Sequence, residues 1–131
     1  MKLTHQGHSA VRTAADAFHE LREAYYERLN HDRIRLTTLS AKLACADEDA
    51  TLVFDEVRVF AHRLGSAAVI FETPDIGEAA GALERAAIIA AHSRADNAVS
   101  YVWGRLEHLA KQLERTCSAR ARSRYESFRQ L

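Results

Sequence analysis

Apolar residues return at alternating three- and four-residue intervals in four separate stretches of the chain, and this periodicity constrains the fold more than any other feature. The last stretch is the plainest: Val99, Val102, Leu106, Leu109, Leu113 and Cys117 make one uninterrupted stripe. That spacing lines up side chains on one face of an α-helix. An earlier stripe runs through Val11, Ala14, Ala15, Phe18, Leu21, Tyr25 and Leu29, and resumes at Leu36, Leu39 and Leu43. Asn30-His31-Asp32 stands between the two parts as a candidate break or bend, so residues 9–46 read as either one bent helix or two. A third stripe, Val53, Val57, Phe60, Leu64, Ala67 or Ala68, and Phe71, predicts a helix from Ala50 to Phe71. Thr73-Pro74-Asp75 then reads as an N-cap, a proline at the first helical position and an acid in the first turn. The helix it opens carries Ile76, Ala79, Ala80, Leu83, Ala87 and Ala90 and ends at His92-Ser93, with Ser93 to Asp96 as a variant capping box for the next.

Only 1 proline and 5 glycines occur in 131 residues, and alternating β-branched runs are missing. The expected fold is all-α, an antiparallel four-helix bundle with an additional N-terminal helical segment. The length suits one domain, 1–131, with a core over about 15–118 and a basic C-terminal extension over 119–131 carrying Arg120, Arg122, Arg124 and Arg129.

Charge and composition narrow the function classes. Lys+Arg and Asp+Glu both number 18, so the chain as a whole has no pull toward nucleic acid or anionic membrane. A nucleic-acid contact through the arginine-rich tail is therefore disfavoured as a main role. No stretch has the length of a signal peptide or a membrane span, and a cytoplasmic location is expected. Cys45 and Cys117 lie far apart outside any metal-type spacing, and both read as buried free thiols rather than a disulfide. His5 and His8 stand three apart with no third ligand nearby, so no metal site is expected. Among the carboxylates, Glu20, Glu23 and Glu27 with Arg22 and Arg28 read as a solvated helix face, and Trp103 reads as packing.

One histidine stands apart from the rest. At 100° per residue, His62 lies about 140° from Val57 and about 160° from Leu64, so it points away from the apolar stripe. Arg58 and Val59 precede it on its own face, and Gly65 and Ser66 follow it there, so one side of the ring is bordered by almost no bulk. Glycine inside a helix costs roughly 1 kcal/mol against alanine, so its presence here asks for a reason. A neutral, exposed imidazole is a good nucleophile at neutral pH. Mounted mid-helix with small neighbours, it can meet a phosphoryl group presented by another protein, with Arg58 and Arg63 near enough to lend positive charge. Val69, apolar on the same exposed side, reads as a partner contact.

The stretch from His62 to Glu84 resembles the histidine-containing phosphotransfer (HPt) domains of multistep two-component phosphorelays. His62-Arg63-Leu64 matches the start of their pattern, and Phe71 falls at an aromatic or aliphatic position. Pro74 and Ile76 fit the start of the next helix, and Ala79-Ala80 and Leu83-Glu84 fit its body, with no gap needed. The chain departs from the family at three places: Gly65 stands where a lysine is common, Ser66 where glycine is usual, and Glu72 where a later glycine is usual. The resemblance implies that His62 takes a phosphoryl group at Nε2 from a receiver aspartate and passes it to another. It implies response-regulator receiver domains and a hybrid or sensor histidine kinase as partners, docked around Arg58, Val59, Arg63, Gly65, Ser66 and Val69. It implies no cofactor and no stand-alone enzyme activity, the metal ion belonging to the receiver. A monomer is expected rather than a dimer, without nucleic acid or membrane. The competing reading is a non-catalytic helical adaptor or dimerisation module that uses the same surface without phosphate.

Overall fold

A computed structural model describes residues 12–46, 50–93 and 96–130. Four helices account for nearly all of them: α1 (Ala14–Ala44), α2 (Thr51–Ile70), α3 (Pro74–His92) and α4 (Ala98–Arg129). No strand occurs among the described residues. Met1 to Val11, where the extra N-terminal segment was expected, lie outside the described residues, as do His5 and His8.

Each helix packs on its neighbours in a closed ring, α1 on α2, α2 on α3, α3 on α4 and α4 back on α1. Cross-helix pairs fix the directions. Lys42 and Arg35 of α1 reach Glu56 of α2, whereas Tyr25 of α1 stacks on Phe71 just past the end of α2, so these two helices run antiparallel. His62 pairs with Glu84, and Gly65 and Ala68 of α2 face Ala80 and Gly77 of α3, again antiparallel. The core follows the stripes read from the sequence from Tyr25 onward: Leu29, Leu36, Leu39 and Leu43, then Val57 and Leu64, then Ile76 and Leu83, then Val102, Leu106, Leu109 and Leu113, all essentially closed to solvent. The start of the first stripe does not join it: Ala14, Ala15, Phe18 and Leu21 are exposed, with Phe18 resting against the Phe71 ring at 5.7 Å between centroids.

The departures from the sequence reading have local causes. Asn30-His31-Asp32 does not break the first helix; α1 runs through it. Asp32 is itself buried there, with Arg63 of α2 as its hydrogen-bond donor at 3.3 Å. Polar residues cost only tenths of a kcal/mol inside a helix, which packing overrides. The start of α1 has a full capping box: the Asp16 amide donates to Thr13 Oγ1 at 3.1 Å and the Thr13 amide to Asp16 Oδ2 at 3.2 Å. Thr73 precedes α3, but its hydroxyl makes no capping bond; it meets the Tyr25 hydroxyl at 2.7 Å instead. Asn97, not Ser93, is the N-cap residue of α4. Cys45 is exposed, because it is the C-cap of α1, past the last buried turn; Cys117 is half-buried, and burial pushes its thiol up.

The arginine-rich end continues α4 as helix to Arg129. Arg120 bonds Glu23 of α1 and lies over the Tyr26 ring, and Arg124 also approaches Glu23. The hydrogen bond from Arg120 holds the Glu23 carboxyl below the usual range. No helix among the described residues is long and apolar enough to cross a membrane.

Candidate functional site

The site lies on the outer edge of the α2–α3 seam, the most extensive contact of the bundle. Small residues build that seam. Ala61 and Ala68 on α2 and Ala80 on α3 are fully buried, and a Cβ placed on Gly77 would stand 3.4 Å from Ala68 Cβ. With so little side chain between them the two backbones come together, and side chains on the rim of the seam can reach across it.

His62 is the residue that does so. Its side chain is 69% exposed, as its angle from the apolar stripe requires, yet its Nδ1 lies 2.7 Å from Oε2 of Glu84 on α3. An ionised carboxylate only accepts hydrogen bonds, so the proton of a neutral ring sits on Nδ1. Nε2 then carries the free lone pair. Glu84 is three-quarters covered, which restricts how far its carboxylate can wander. The sequence shows Leu83-Glu84 only as part of a pattern and does not show which residue partners the ring. The missing signal was the register between α2 and α3, which a single helix cannot display.

The other candidate residues divide into those beside the ring and those turned elsewhere. Val59, 52% exposed, and Val69, 78% exposed, flank His62 on the solvent side of α2, with Ser66 exposed between them. Ile88 lies one turn beyond Glu84 on α3 and is also exposed, which adds an apolar residue on the opposite wall. Gly65 is half-buried one turn from His62; a Cβ there would meet Ala80 Cβ at 3.7 Å, an ordinary contact. The two arginines expected to lend charge are engaged with other carboxylates. Arg58 gives both Nε (3.2 Å) and a terminal nitrogen (2.8 Å) to Asp55. Arg63 turns toward α1, where it bonds Asp32, and its guanidinium lies over the Phe60 ring of its own helix.

The end of α2 beside the site closes with a Schellman turn. The Thr73 amide donates to the Ala68 carbonyl at 3.0 Å and the Glu72 amide to the Val69 carbonyl at 3.4 Å. Glu72 takes the left-handed conformation this needs, with φ 56°, the position at which glycine is ordinarily used. No three His, Cys, Asp or Glu side chains among the described residues come together so as to hold a metal ion. Compared with protein-family models, with curated proteins and with solved structures, the chain matches none of them.

Proposed function

We propose that the chain is a phosphoryl carrier of the HPt kind, in which His62 accepts a phosphoryl group from a receiver aspartate and yields it to another. The observation that carries this reading is the pairing of an exposed imidazole with a carboxylate on the neighbouring helix: Nδ1 held by Glu84, Nε2 turned free.

The chemistry follows from that arrangement. The Nε2 lone pair forms the new N–P bond as the P–O bond of the incoming phosphoaspartate breaks, and the receiver's carboxylate leaves with the electron pair. No proton has to depart from Nε2, because none is there. The ring becomes positively charged as the bond forms, and the Glu84 carboxylate on Nδ1–H stabilises that charge. The same charge keeps the ring a competent leaving group for onward transfer. Metal and general electrophilic assistance belong to the receiver in this scheme. Val59, Ser66 and Val69, with Gly65 beside the seam, give a low, partly apolar surface on which a receiver can close over the ring; Arg58 and Arg63 lie at its margins. A receiver domain and its kinase are the proposed partners, with the chain acting as a monomer inside the cell.

The test is transfer of labelled phosphate from a phosphorylated receiver. Acid-labile label on the wild type and none on His62→Gln is expected. Label on His62→Gln equal to wild type would remove His62 from the role. Tight receiver binding with no label on the wild type would instead favour the adaptor reading.

A further inference from the structure

The proposed carrier needs a cation for its phosphoryl group, and we infer that Arg85 of α3 supplies it, as the counter-ion of phosphorylated His62. The inference rests on the phosphotransfer reading and adds to it a residue not among those identified from the sequence.

A phosphoryl group on Nε2 brings up to two negative charges to a surface where Glu84 already stands. Something positive must offset them. Arg58 and Arg63 are committed to Asp55 and Asp32. Gly65 leaves α2 with no side chain one turn beyond the ring. The remaining wall is α3. There Gly77, Gly81, Glu84 and Ile88 follow four-, three- and four-residue steps and so share one face. Gly77 opposes Ala68 and Glu84 reaches His62, so that face borders the α2 seam at both places, while Gly81 between them lies on its open side, with no α2 atom within 4 Å of a Cβ built there. Arg85 folds back along this helix until its guanidinium lies over Gly81: a Cβ at Gly81 would be 3.3 Å from Nη1 of Arg85.

Two consequences follow from the register. Ala80 is level with Gly65, so Gly81 and the guanidinium above it stand level with the turn between His62 and Gly65. The absence of a side chain at Gly81 is what leaves room for the guanidinium there. Arg85 is exposed and makes no hydrogen bond or ion pair among the described residues, in contrast to Arg58 and Arg63. A planar donor pair free to swing across a glycine floor suits a phosphoryl group, whose oxygens accept two parallel bonds.

The experiment uses the full chain, phosphorylated with potassium phosphoramidate, in which the P–N bond breaks, ammonia leaves and Nε2 gains the phosphoryl group. The resonance lost in His62→Gln identifies phospho-His62 by phosphorus NMR. Its titration is then followed in wild type, Arg85→Gln, Arg85→Lys and a distant control, Arg105→Gln. The expected result is that Arg85→Gln moves the phosphoryl titration upward by roughly half to one pH unit, as loss of one adjacent cation does. Hydrolysis at neutral pH should also quicken about 3- to 10-fold. Arg85→Lys should restore most of both, and Arg105→Gln should change neither. A purely structural role would not move the titration or be rescued by lysine. Identical titrations in wild type and Arg85→Gln would overturn the assignment while leaving the carrier reading intact. A wild-type spectrum with phosphate on other histidines and none on His62 would overturn both.

Discussion

Glu84 and His62 are 22 residues apart in sequence and on different helices, yet their side chains meet at 2.7 Å on the rim of a seam made of alanine and glycine. The acid does for the ring what no residue of its own helix does: it sets which nitrogen holds the proton.

Removing that acid should therefore act on rate more than on folding. Hydrogen bonds to charged groups contribute about 1.5–3 kcal/mol, so Glu84→Ala should slow phosphotransfer by roughly 10- to 100-fold. Glu84→Gln, which can still offer an amide oxygen to Nδ1–H, should fall between. Nitrogen NMR of the imidazole gives an independent reading: the wild type should hold its proton on Nδ1, and Glu84→Ala should show a mixture of tautomers. An unchanged tautomer together with an unchanged rate in Glu84→Ala would count against the arrangement.

The turn after α2 gives a stability prediction. Glu72 holds φ 56°, where a residue with a Cβ costs about 1 kcal/mol or more relative to glycine. Glu72→Gly should raise the unfolding free energy by about 1 kcal/mol, which for a chain of this size corresponds to roughly 3–5 °C in Tm. A β-branched residue, as in Glu72→Val, should lower it. A loss of stability in the glycine variant would mean that the Glu72 side chain contributes more than its backbone costs.

Asp32 predicts a pH dependence of the opposite sign from most carboxylates. Burial lifts its carboxyl above the usual range, with Arg63, Arg28 and His31 drawing it back in part. The folded state thus keeps this proton to a higher pH than the unfolded chain, whose aspartates titrate near about 3.9. Folding stability is lost as pH rises from that value through the folded one. Asp32→Asn removes the charge, so its stability relative to wild type should improve from pH 4 to pH 7. Urea midpoints at the two pH values decide it. A variant that compares worse at pH 7 than at pH 4 would show that the Arg63 pair outweighs the cost of burial.

Gly104 and Gly65 separate two reasons for a helical glycine. Nothing lies within 4 Å of a Cβ built on Gly104, and on Gly65 it meets only Ala80 at 3.7 Å. Gly104→Ala and Gly65→Ala should each stabilise by up to about 1 kcal/mol. Gly65→Ala should also leave label transfer to His62 within a few-fold of wild type, since a methyl group faces the seam rather than the ring. Circular dichroism melts and the transfer assay check both; a drop in transfer above 10-fold would mean that access to His62 depends on the bare backbone.

What could be read from the sequence was whatever a single helix encodes about itself. The stripe of α4 is visible in Val102, Leu106, Leu109 and Leu113 with no knowledge of their neighbours, and the same arithmetic turned His62 outward. What could not be read depends on a second helix. Asn30-His31-Asp32 looks like a break until Arg63 stands opposite Asp32. Thr73 looks like a cap until Tyr25, 48 residues earlier, takes its hydroxyl. Arg58 and Arg63 look available until Asp55 and Asp32 are seen to hold them. The Thr13–Asp16 box is a local signal but a faint one, because aspartate stands where glutamate or glutamine usually closes the motif.

The ring of four helices also dictates an order of assembly. Its two kinds of closure differ greatly in the length of chain they enclose: 22 residues separate His62 from Glu84, and 97 separate Glu23 from Arg120. Loop-closure entropy makes the longer search costlier by about 1 kcal/mol before any packing rewards it. The α2–α3 hairpin can therefore form from local encounters alone, and the docking of α1 against α4 completes the bundle afterwards. In pulse-labelling hydrogen exchange, amides of α2 and α3 should gain protection ahead of those at the outer ends of α1 and α4. His62, Glu84 and Arg85 would then all belong to the portion of the chain that matures first.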